Sequence, residues 1–563
     1  MRPCLLLAAF FLALSLHAQQ TLPANAAQTP DAKLCSIAGT VVRADTKAPL
    51  KKAHVALQSA ESESHPFTAT TDVSGHFQID KIPPGSYHLE IERAGFVNLS
   101  YGQNSPESPG ATLTLAPGQK MEDLLFRMNR SAVISGHITD EDGEPVPAAS
   151  VHALRKLYLE GKPTVLEMES ATTNDLGEYR LFGLPPGRFY VSATYQESDE
   201  SFRSANRVAT ALASQDSGYA PTYYPGTSDV GAAAVIQVKS GDEVSSVDFS
   251  LFPTPVFHIR GKVTNSITGQ PPRAVIIVAV PKAKQDYSVG GIRQALVTGV
   301  DGNFDIPGIT PGSYSVTAIW IDQTKQHFAH QDVDVTNTDV EGLQLIISRG
   351  INIAGRVVPE GNTSEGNSDL RVHLYTREVN FSDWKSAEVH ADGSFTIEDV
   401  AAGSYELLVQ SSCKLCYTKS ARFGSLDVLS NELSVGSGSS SSTLEIVYSA
   451  NTATVNGSVT KDDGLPATGA TVVLVPEKSF RNRAELFQNA ATDQYGRFVF
   501  RGVPPGKYSA FAWQDIEGGM WQDPDFLKTV EGKGKDIELT EKQSLFLDLV
   551  ALPSPSSSST PDQ

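Results

Sequence analysis

The chain has 563 residues, of which 40% are hydrophobic and 19% charged, and its formal net charge is −19 at pH 7. This composition is that of a folded protein, and the length predicts several domains. The acidic excess argues against binding to nucleic acid or to anionic lipid, because phosphate-rich surfaces attract basic proteins. The 45 glycines and 33 prolines are typical of many short strands joined by turns.

The first 26 residues have the pattern of a secretory signal peptide. Arg2 precedes an apolar run from Leu5 to Leu16, and small residues follow at two candidate cleavage sites, after residue 18 or after residue 26. No later stretch has the length of apolar sequence that a membrane span needs. We therefore expect an exported protein without a membrane span, located in the periplasm, on the cell surface or outside the cell.

One motif recurs five times with unchanged spacing. Its copies begin at Gly75, Gly177, Gly302, Gly393 and Gly496. Ten residues later each copy has a second glycine, at Gly85, Gly187, Gly312, Gly403 and Gly506. Two residues further on, each has an aromatic ring, at Tyr87, Phe189, Tyr314, Tyr405 and Tyr508. Five copies in register predict five similar structural units.

The motif reads as two strands joined by a tight turn. After the first glycine, apolar residues alternate with polar ones, which indicates a strand with one buried face. The Pro-Pro-Gly that follows predicts a turn, because proline fixes φ and glycine accepts positive φ. The aromatic residue then begins the next strand, and it resembles the corner tyrosine of β-sandwiches, whose hydroxyl bonds to upstream backbone.

Each unit also begins alike, with a G-x-V strand such as IAGTVV from Ile37 or VNGSVT from Val455. About seven strands per unit predict an all-β protein, a tandem array of about five seven-stranded β-sandwiches of the prealbumin-like (transthyretin-like or Ig-like) type. Units of this size can each form a core, so we expect five independent domains in series and not a solenoid. The predicted ranges are a signal peptide at 1–26, sandwiches at 33–129, 131–252 (with a long loop insertion), 255–348, 350–448 and 452–552, and a disordered Ser/Pro tail at 553–563.

The combination of G-x-V, D-x-x-G-x-F-x-I and PPG-x-Y resembles the carboxypeptidase regulatory-like domain family. The resemblance covers about residues 33 to 552, and the fourth copy departs most, with Ala401 and Ala402 in place of the two prolines. It implies a prealbumin-like, carbohydrate-binding-like sandwich in a bacterial exported protein, with a binding or accessory role. Members of the family also stand beside catalytic domains or ahead of outer-membrane barrels.

No catalytic motif accompanies the repeats. The sequence has no H-x-x-E or H-E-x-x-H zinc pattern, no G-x-S-x-G and no Walker loop, so we expect no enzyme activity, cofactor or metal. His327 and His330 are three residues apart, and we expect them on a solvated loop. The acidic turn at Asp140, Asp142 and Glu144 is predicted to be an ordinary hairpin turn.

Aromatic residues between the last strands are the candidate ligand-binding groups. In the second domain they are Tyr219, Tyr223 and Tyr224, and in the fifth they are Trp513 and Trp521. Exposed rings on loops can stack on sugars or anchor a protein. Alternatively, the rings fold back over the end of the sandwich.

Three cysteines follow the signal peptide. Cys413 and Cys416 have CxxC spacing and are a candidate disulfide, whereas Cys35 is expected to be buried as a small hydrophobic residue.

The leading functional hypothesis is a non-enzymatic binding or spacer protein that binds polysaccharide through its aromatic loops. One alternative is a structural or adhesive envelope protein with protein partners. Another is an accessory component that acts beside a catalytic or barrel partner. Burial of Tyr223, Tyr224 and Trp521 would favour a structural role over sugar binding.

Overall fold

A computed structural model describes residues 33–60, 65–103, 110–159, 162–195, 217–270, 272, 274–282, 293–297, 299, 301–322, 325–361, 369–376, 385–436 and 442–554. The predicted signal peptide, most of the insertion in the second domain and most of the Ser/Pro tail lie outside the described residues. The regular structure of the described chain is almost entirely β-strand, and its buried residues form six clusters, one in each of five successive sandwiches and a second one in the fifth.

The first two domains comprise nineteen strands. Domain 1 contains β1 (Cys35–Arg43), β2 (His54–Ser59), β3 (Phe67–Thr70), β4 (His76–Ile82), β5 (Gly85–Glu92), β6 (Leu99–Ser100), β7 (Leu113–Leu115) and β8 (Lys120–Met128). Domain 2 contains β9 (Ala132–Thr139), β10 (Ser150–Leu159), β11 (Lys162–Thr172), β12 (Glu178–Leu184), β13 (Gly187–Thr194), β14 (Ser217–Ala220), β15 (Thr222–Tyr223), β16 (Ile236–Val238), β17 (Glu243–Val244), β18 (Phe249–Ser250) and β19 (Phe252–Pro255), with a 3-10 turn at Val230–Ala232.

The other three domains follow without long linkers. Domain 3 contains β20 (Phe257–Asn265), β21 (Val275–Pro281), β22 (Arg293–Val297), β23 (Asn303–Ile309), β24 (Gly312–Asp322), β25 (Lys325–Val335) and β26 (Val340–Ile347). Domain 4 contains β27 (Ile351–Glu360), β28 (Arg371–Tyr375), β29 (Lys385–Glu388), β30 (Ser394–Val400), β31 (Gly403–Gln410), β32 (Tyr417–Phe423), β33 (Leu426–Asp427), β34 (Leu433–Val435) and β35 (Leu444–Ser449). Domain 5 contains β36 (Ala453–Thr460), β37 (Thr471–Pro476), β38 (Gln488–Ala491), β39 (Arg497–Val503), β40 (Gly506–Trp513), β41 (Lys535–Leu539) and β42 (Ser544–Val550), with 3-10 turns at Lys478–Phe480, Ala484–Leu486 and Met520–Gln522 and one α-helix, α1 (Pro524–Val530).

All five domains share one topology. The first strand pairs antiparallel with the fourth and parallel with the last, and the second strand pairs antiparallel with the third and the fifth. In domain 2 the strand parallel to the first one is split into β17 and β18, and the additional strand β19 pairs with β14 in a separate two-stranded sheet. Two facing sheets thus enclose each core, which is the predicted prealbumin-like sandwich.

The glycine of the G-x-V start allows the first strand to approach its neighbours closely. A Cβ atom at Gly457 would lie 2.0 Å from the carbonyl oxygen of Leu547 and 2.5 Å from the ring of Phe498. At the equivalent Gly355, the ring of Phe395 would be 2.1 Å away. The aromatic side chain two residues after the motif glycine therefore occupies the space that a side chain on the first strand would fill.

The aromatic residue after the Pro-Pro-Gly turn closes that turn, as predicted. The hydroxyl of Tyr508 donates to the carbonyl oxygen of Pro504 at 3.0 Å. The same four-residue bond is made at 2.7 Å by Tyr87 and at 3.1 Å by Tyr405, where alanines replace the prolines. Phe189 has no hydroxyl, so domain 2 forms the turn without this bond.

A bulge in the fourth strand was not anticipated. The residue six positions after the first motif glycine has positive φ in every copy: Lys81, Gly183, Gly308, Asp399 and Gly502. The register between the first and fourth strands shifts beside it. Only three of the five residues are glycine, so the sequence signal for this left-handed position is weak.

Candidate functional site

The tyrosines of domain 2 are held within the domain. Tyr223 is 1% exposed and pairs with the fifth strand through Ser192. Tyr224 is part-buried, and its ring packs edge-on against Phe249 at 6.0 Å. The ring of Tyr224 therefore lies at the margin of the sandwich core, whereas Tyr223, opposite Ser192, is buried outside that core cluster.

Tyr219 lies at the margin of the same core. Its ring packs against Tyr195 at 6.1 Å, and its hydroxyl donates to the Glu141 carboxylate at 2.7 Å. Burial, together with the bond to Glu141, raises the pKa of the Tyr219 phenol. Glu141 belongs to the acidic turn, where Asp140 accepts the backbone amides of Asp142 and Glu144. Hydrogen bonds within the turn therefore stabilise its conformation.

The tryptophans of domain 5 form a second core on the outer face of its four-stranded sheet. Trp513 is 1% exposed and stacks on Phe511 at 5.2 Å with an interplanar angle of 11°. Trp521 is 8% exposed, and Phe526 of α1 lies 5.9 Å from Trp513. Helix α1 covers this cluster, which also includes Leu527 and Val530.

Sequence signals for α1 are present in retrospect. The Asp523 side chain accepts the amide of Asp525 at 2.8 Å as an N-cap, and Pro524 occupies the first turn. Asp-Pro followed by apolar residues at Phe526, Leu527 and Val530 is a helix signature, although no helix was predicted there.

These positions correct the interpretation of the loop aromatics as exposed ligand contacts. Trp513, Trp521 and Tyr223 are buried, so their faces are not available to stack on a sugar. The physical reason is that Trp513 and Tyr223 lie on paired strands, and the segment that carries Trp521 folds back over the sheet, which is more favourable than leaving large rings in water.

The two histidines lie on strand β25 and not on a solvated loop, which corrects that expectation. His327 is 9% exposed, its ring stacks on Trp320 at 5.2 Å, and its Nδ1 is 2.8 Å from the Asp399 carboxylate. Among the described residues, no group of three His, Cys, Asp or Glu side chains is arranged to hold a metal ion.

The cysteines serve structural roles. Cys413 and Cys416 form a disulfide with a Cα–Cα distance of 5.5 Å, between strands β31 and β32. Cys35 is buried, as expected, and its thiol donates to the Ala116 carbonyl oxygen at 3.1 Å.

Consecutive domains meet through a recurring joint. In three described joints, the segment after the fifth strand of one domain faces the bulge of the next. Phe96 and Asn98 face Gly183 across a cleft of about 350 Å³ between domains 1 and 2. His327 of domain 3 pairs with Asp399 of domain 4.

At the joint between domains 4 and 5, the disulfide loop meets the bulge of domain 5. A Cβ atom at Gly502 would be 3.2 Å from the Cα of Leu415, whose carbonyl oxygen accepts from the Thr452 hydroxyl at 3.1 Å. Beside it, the Lys419 ammonium is 2.7 Å from Glu360 and 2.8 Å from Glu541 of domain 5.

Domain 5 also contacts the first two domains, so the series is not an open chain of independent beads. The Gln494 side-chain amide donates to the Thr114 carbonyl oxygen at 2.8 Å and accepts from the Thr114 amide at 3.2 Å. Gly519 lies against the carbonyl group of Tyr158 in domain 2. Burial raises the pKa of Tyr158 to about 12, with further contributions from Asp523 and Glu517 of domain 5.

The fold and the contacts together define a tandem array of prealbumin-like β-sandwiches whose domains contact one another. Residues 36–128, 133–218 and 454–515 match the model of the carboxypeptidase regulatory-like domain. Residues 348–422 match the model described as BOS complex subunit NOMO1-like, second beta sandwich domain.

The chain is similar to BOS complex subunit NOMO1 of Mus musculus, with 23% identity over 350 residues. The match covers 61% of this chain and 23% of the mouse protein, so the chain spans about a quarter of that relative. No helix among the described residues is long and apolar enough to cross a membrane.

Several solved bacterial structures are also similar. The Bacillus anthracis TIE protein has 13% identity and a TM-score of 0.16, over 56% of this chain and 50% of that one. A streptococcal ancillary pilin has 12% identity and a TM-score of 0.19, over 56% and 99%. Two B repeat units of the collagen binding protein of Staphylococcus aureus have 11% identity and a TM-score of 0.12, over 74% and 100%.

Proposed function

We propose that this protein is an exported, non-enzymatic scaffold whose domains bind a protein partner. The observation that carries the proposal is the burial of Trp513, Trp521 and Tyr223, since buried rings favour a structural role over sugar binding. The domain joints support it, because they hold several sandwiches against one another as a preformed surface.

The comparisons are compatible with a partner of this kind. The mouse relative is, by its name, a subunit of a protein complex. The matched domains are named for a regulatory-like role and not for a reaction. Both features favour association with proteins over catalysis.

The test compares protein and glycan binding by the mature chain. Immobilised chain is incubated with envelope proteins from its own cells, and retained proteins are identified by competition with free chain. A parallel arm measures binding to a panel of soluble and insoluble polysaccharides, with Trp521→Ala and Tyr223→Ala/Tyr224→Ala variants beside the unaltered chain.

We expect competed protein binding and no glycan binding. Saturable glycan binding that both aromatic variants lose while remaining folded would contradict the proposal and restore the polysaccharide hypothesis. Export is checked separately, by sequencing the N-terminus of the protein recovered outside the cytoplasm. We expect it to begin after residue 18 or 26.

A further inference from the structure

The last strand of each domain lies at a sheet edge unless another strand covers it. It pairs with the first strand on one side, and its other side presents backbone N–H and C=O groups outward. Such an edge can pair with a strand from another protein, and natural proteins usually interrupt or cover it.

Domains 1 to 3 interrupt the edge with a left-handed residue. Asp123 in β8 has a φ of 64°, Gly342 in β26 has a φ of 75°, and Ser246 between β17 and β18 has a φ of 63°. In domains 1 and 3 the register with the first strand shifts at this point. A bulge of this kind twists an edge and disfavours further pairing.

Domain 4 covers the same edge with its own chain. Strand β32 runs antiparallel to β35, from Tyr417 opposite Ser449 to Phe423 opposite Leu444. Arg422 of β32 stands opposite Glu445 of β35. The domain therefore shows which geometry an added strand adopts at this edge.

Domain 5 neither interrupts nor covers it. Strand β42 keeps one register with β36 from Ser544 to Val550, without a shift, and no described residue pairs with its outer side. The exposed side chains of the strand are those of Ser544, Phe546, Asp548 and Val550, and the two apolar ones, Phe546 and Val550, are 66% and 56% exposed.

The hydrogen bonds to β36 at the two ends of β42 show which backbone groups of β42 point away from β36. The carbonyl of Gln543 accepts from Thr454 at 2.8 Å, and the amide of Ala551 donates to Thr460 at 2.8 Å. Alternation along the strand then directs the N–H and C=O groups of Phe546, Asp548 and Val550 outward. The Lys535 ammonium approaches the Asp548 carbonyl oxygen at a long 3.4 Å.

We infer that the outer edge of β42 is a strand-addition site for an extended segment of a partner protein. Aligning the equivalent glycines, Gly355 and Gly457, places Leu547 where domain 4 has Leu444, because each faces its glycine across the parallel pair. Asp548 then corresponds to Glu445. The occupant is an antiparallel strand that places a basic residue opposite Asp548, as Arg422 stands opposite Glu445 in domain 4.

A second copy of this chain is a poorer occupant. Each copy has a formal charge of −19, so two copies repel as they approach. A partner segment with a basic residue complements Asp548 and the acidic surface as a whole. The inference rests on the proposed protein-binding function and specifies the chemistry of the partner.

The probe is a labelled peptide with the sequence of Tyr417–Phe423, YTKSARF, titrated into the full mature chain and followed by fluorescence anisotropy. We expect saturable binding that weakens about tenfold or more with a peptide in which both basic residues are glutamate. Hydrogen exchange should show new protection at the amides of Phe546, Asp548 and Val550.

Three exposed-site variants locate the site. Phe546→Lys and Asp548→Lys should abolish peptide binding, because each places a cation on the edge. Val499→Lys is the matched control, since Val499 occupies the same outer face and the same row of the sheet on β39 and is 43% exposed. The control should bind like the unaltered chain, and thermal melting should show that all three variants remain folded.

No binding of YTKSARF, or equal loss in Val499→Lys, would overturn the inference. A concentration-dependent dimer in sedimentation equilibrium that Phe546→Lys dissociates would also overturn it, in favour of self-association. These results leave the scaffold proposal standing if competed envelope proteins still bind, so the two failures are distinguishable.

Discussion

Domains 4 and 5 have the same sandwich frame but use the segment after the fifth strand differently. In domain 4 this segment forms the disulfide loop and then β32, which extends the first sheet. In domain 5 it forms α1, which covers the outer face of the second sheet with Trp513 and Trp521 beneath it. The shared strand order thus sets the two ends of this segment. The apolar residues within the segment determine which sheet surface it covers.

The largest expected effect is on the second core of domain 5. Trp513→Ala should reduce the stability of that domain by about 3–5 kcal/mol, because it removes a fully buried ring from between Phe511 and α1. Hydrogen exchange of β37 and β40 in the full chain reports this loss locally. Phe546→Ala, at an exposed ring of the same domain, should change exchange little. Equal effects would show that α1 does not cover a core.

The shared frame predicts a comparable cost in both domains for filling the G-x-V glycine. Gly457→Ala and Gly355→Ala should each destabilise their domain by about 2–3 kcal/mol, because the new Cβ atom meets the ring of Phe498 or Phe395. Gly518→Ala is the control, since a Cβ atom there has no neighbour within 4 Å. The free energy of unfolding of each domain is measured by chemical denaturation, with hydrogen exchange of β36 and β27 as the local probe. Unchanged stability of Gly457→Ala and Gly355→Ala would contradict the close approach of the strands.

The disulfide distinguishes domain 4. Replacing both cysteines, Cys413→Ser with Cys416→Ser, should cost domain 4 at most about 2 kcal/mol, because so short a loop gains little from the cross-link. Reductant should destabilise the unaltered chain by the same amount and leave the double variant unchanged. A larger loss in domain 5 than in domain 4 would mean that the loop chiefly supports the joint at Gly502.

The smallest effect concerns the turn hydroxyl that both domains share. Tyr508→Phe should cost about 1 kcal/mol at neutral pH, the usual value of one hydrogen bond. Phe189 shows that the turn forms without it. The matched control is Tyr495→Phe, at a tyrosine of the same domain that is 47% exposed and whose hydroxyl accepts only a long 3.4 Å bond from Gln119.

The same tyrosine predicts a pH dependence. Burial raises the pKa of the Tyr508 phenol, so the folded state holds its proton more tightly than the unfolded state does. This contribution to stability is complete below the ordinary tyrosine pKa of about 10 and is lost as the pH rises above it. Tyr508→Phe should therefore lose less stability than the unaltered chain between about pH 10 and 12. A steeper alkaline loss in the variant would contradict this assignment.

Much of the frame could be predicted from single residues. The invariant spacing from Gly496 to Gly506 and Tyr508 predicted a strand, a turn and a corner hydroxyl, and all three are present in domain 5. Local chemistry sufficed because proline, glycine and tyrosine act there over a few residues. The bulge at Lys81 and Asp399 was missed, because those residue types do not signal positive φ.

The candidate site was less predictable. When the path of the loop is unknown, Trp521 can be exposed or buried. Its hydrophobicity alone does not distinguish a ligand-binding ring from a ring that packs on its own domain. Likewise, the alternation of apolar residues in β42 is compatible with an edge strand or a central strand, since both bury one face.

The sequence by itself determined the class of fold, the number of domains and the turn chemistry, because these depend on short-range spacing and on the period of apolar residues. Only the tertiary structure decided that Trp513 and Trp521 are buried, that the disulfide loop meets domain 5, that Gln494 reaches Thr114, and that the edge of β42 is uncovered. Each of these is a contact, or a missing contact, between segments distant in sequence. Such relations depend on the path of the whole chain and leave no local pattern.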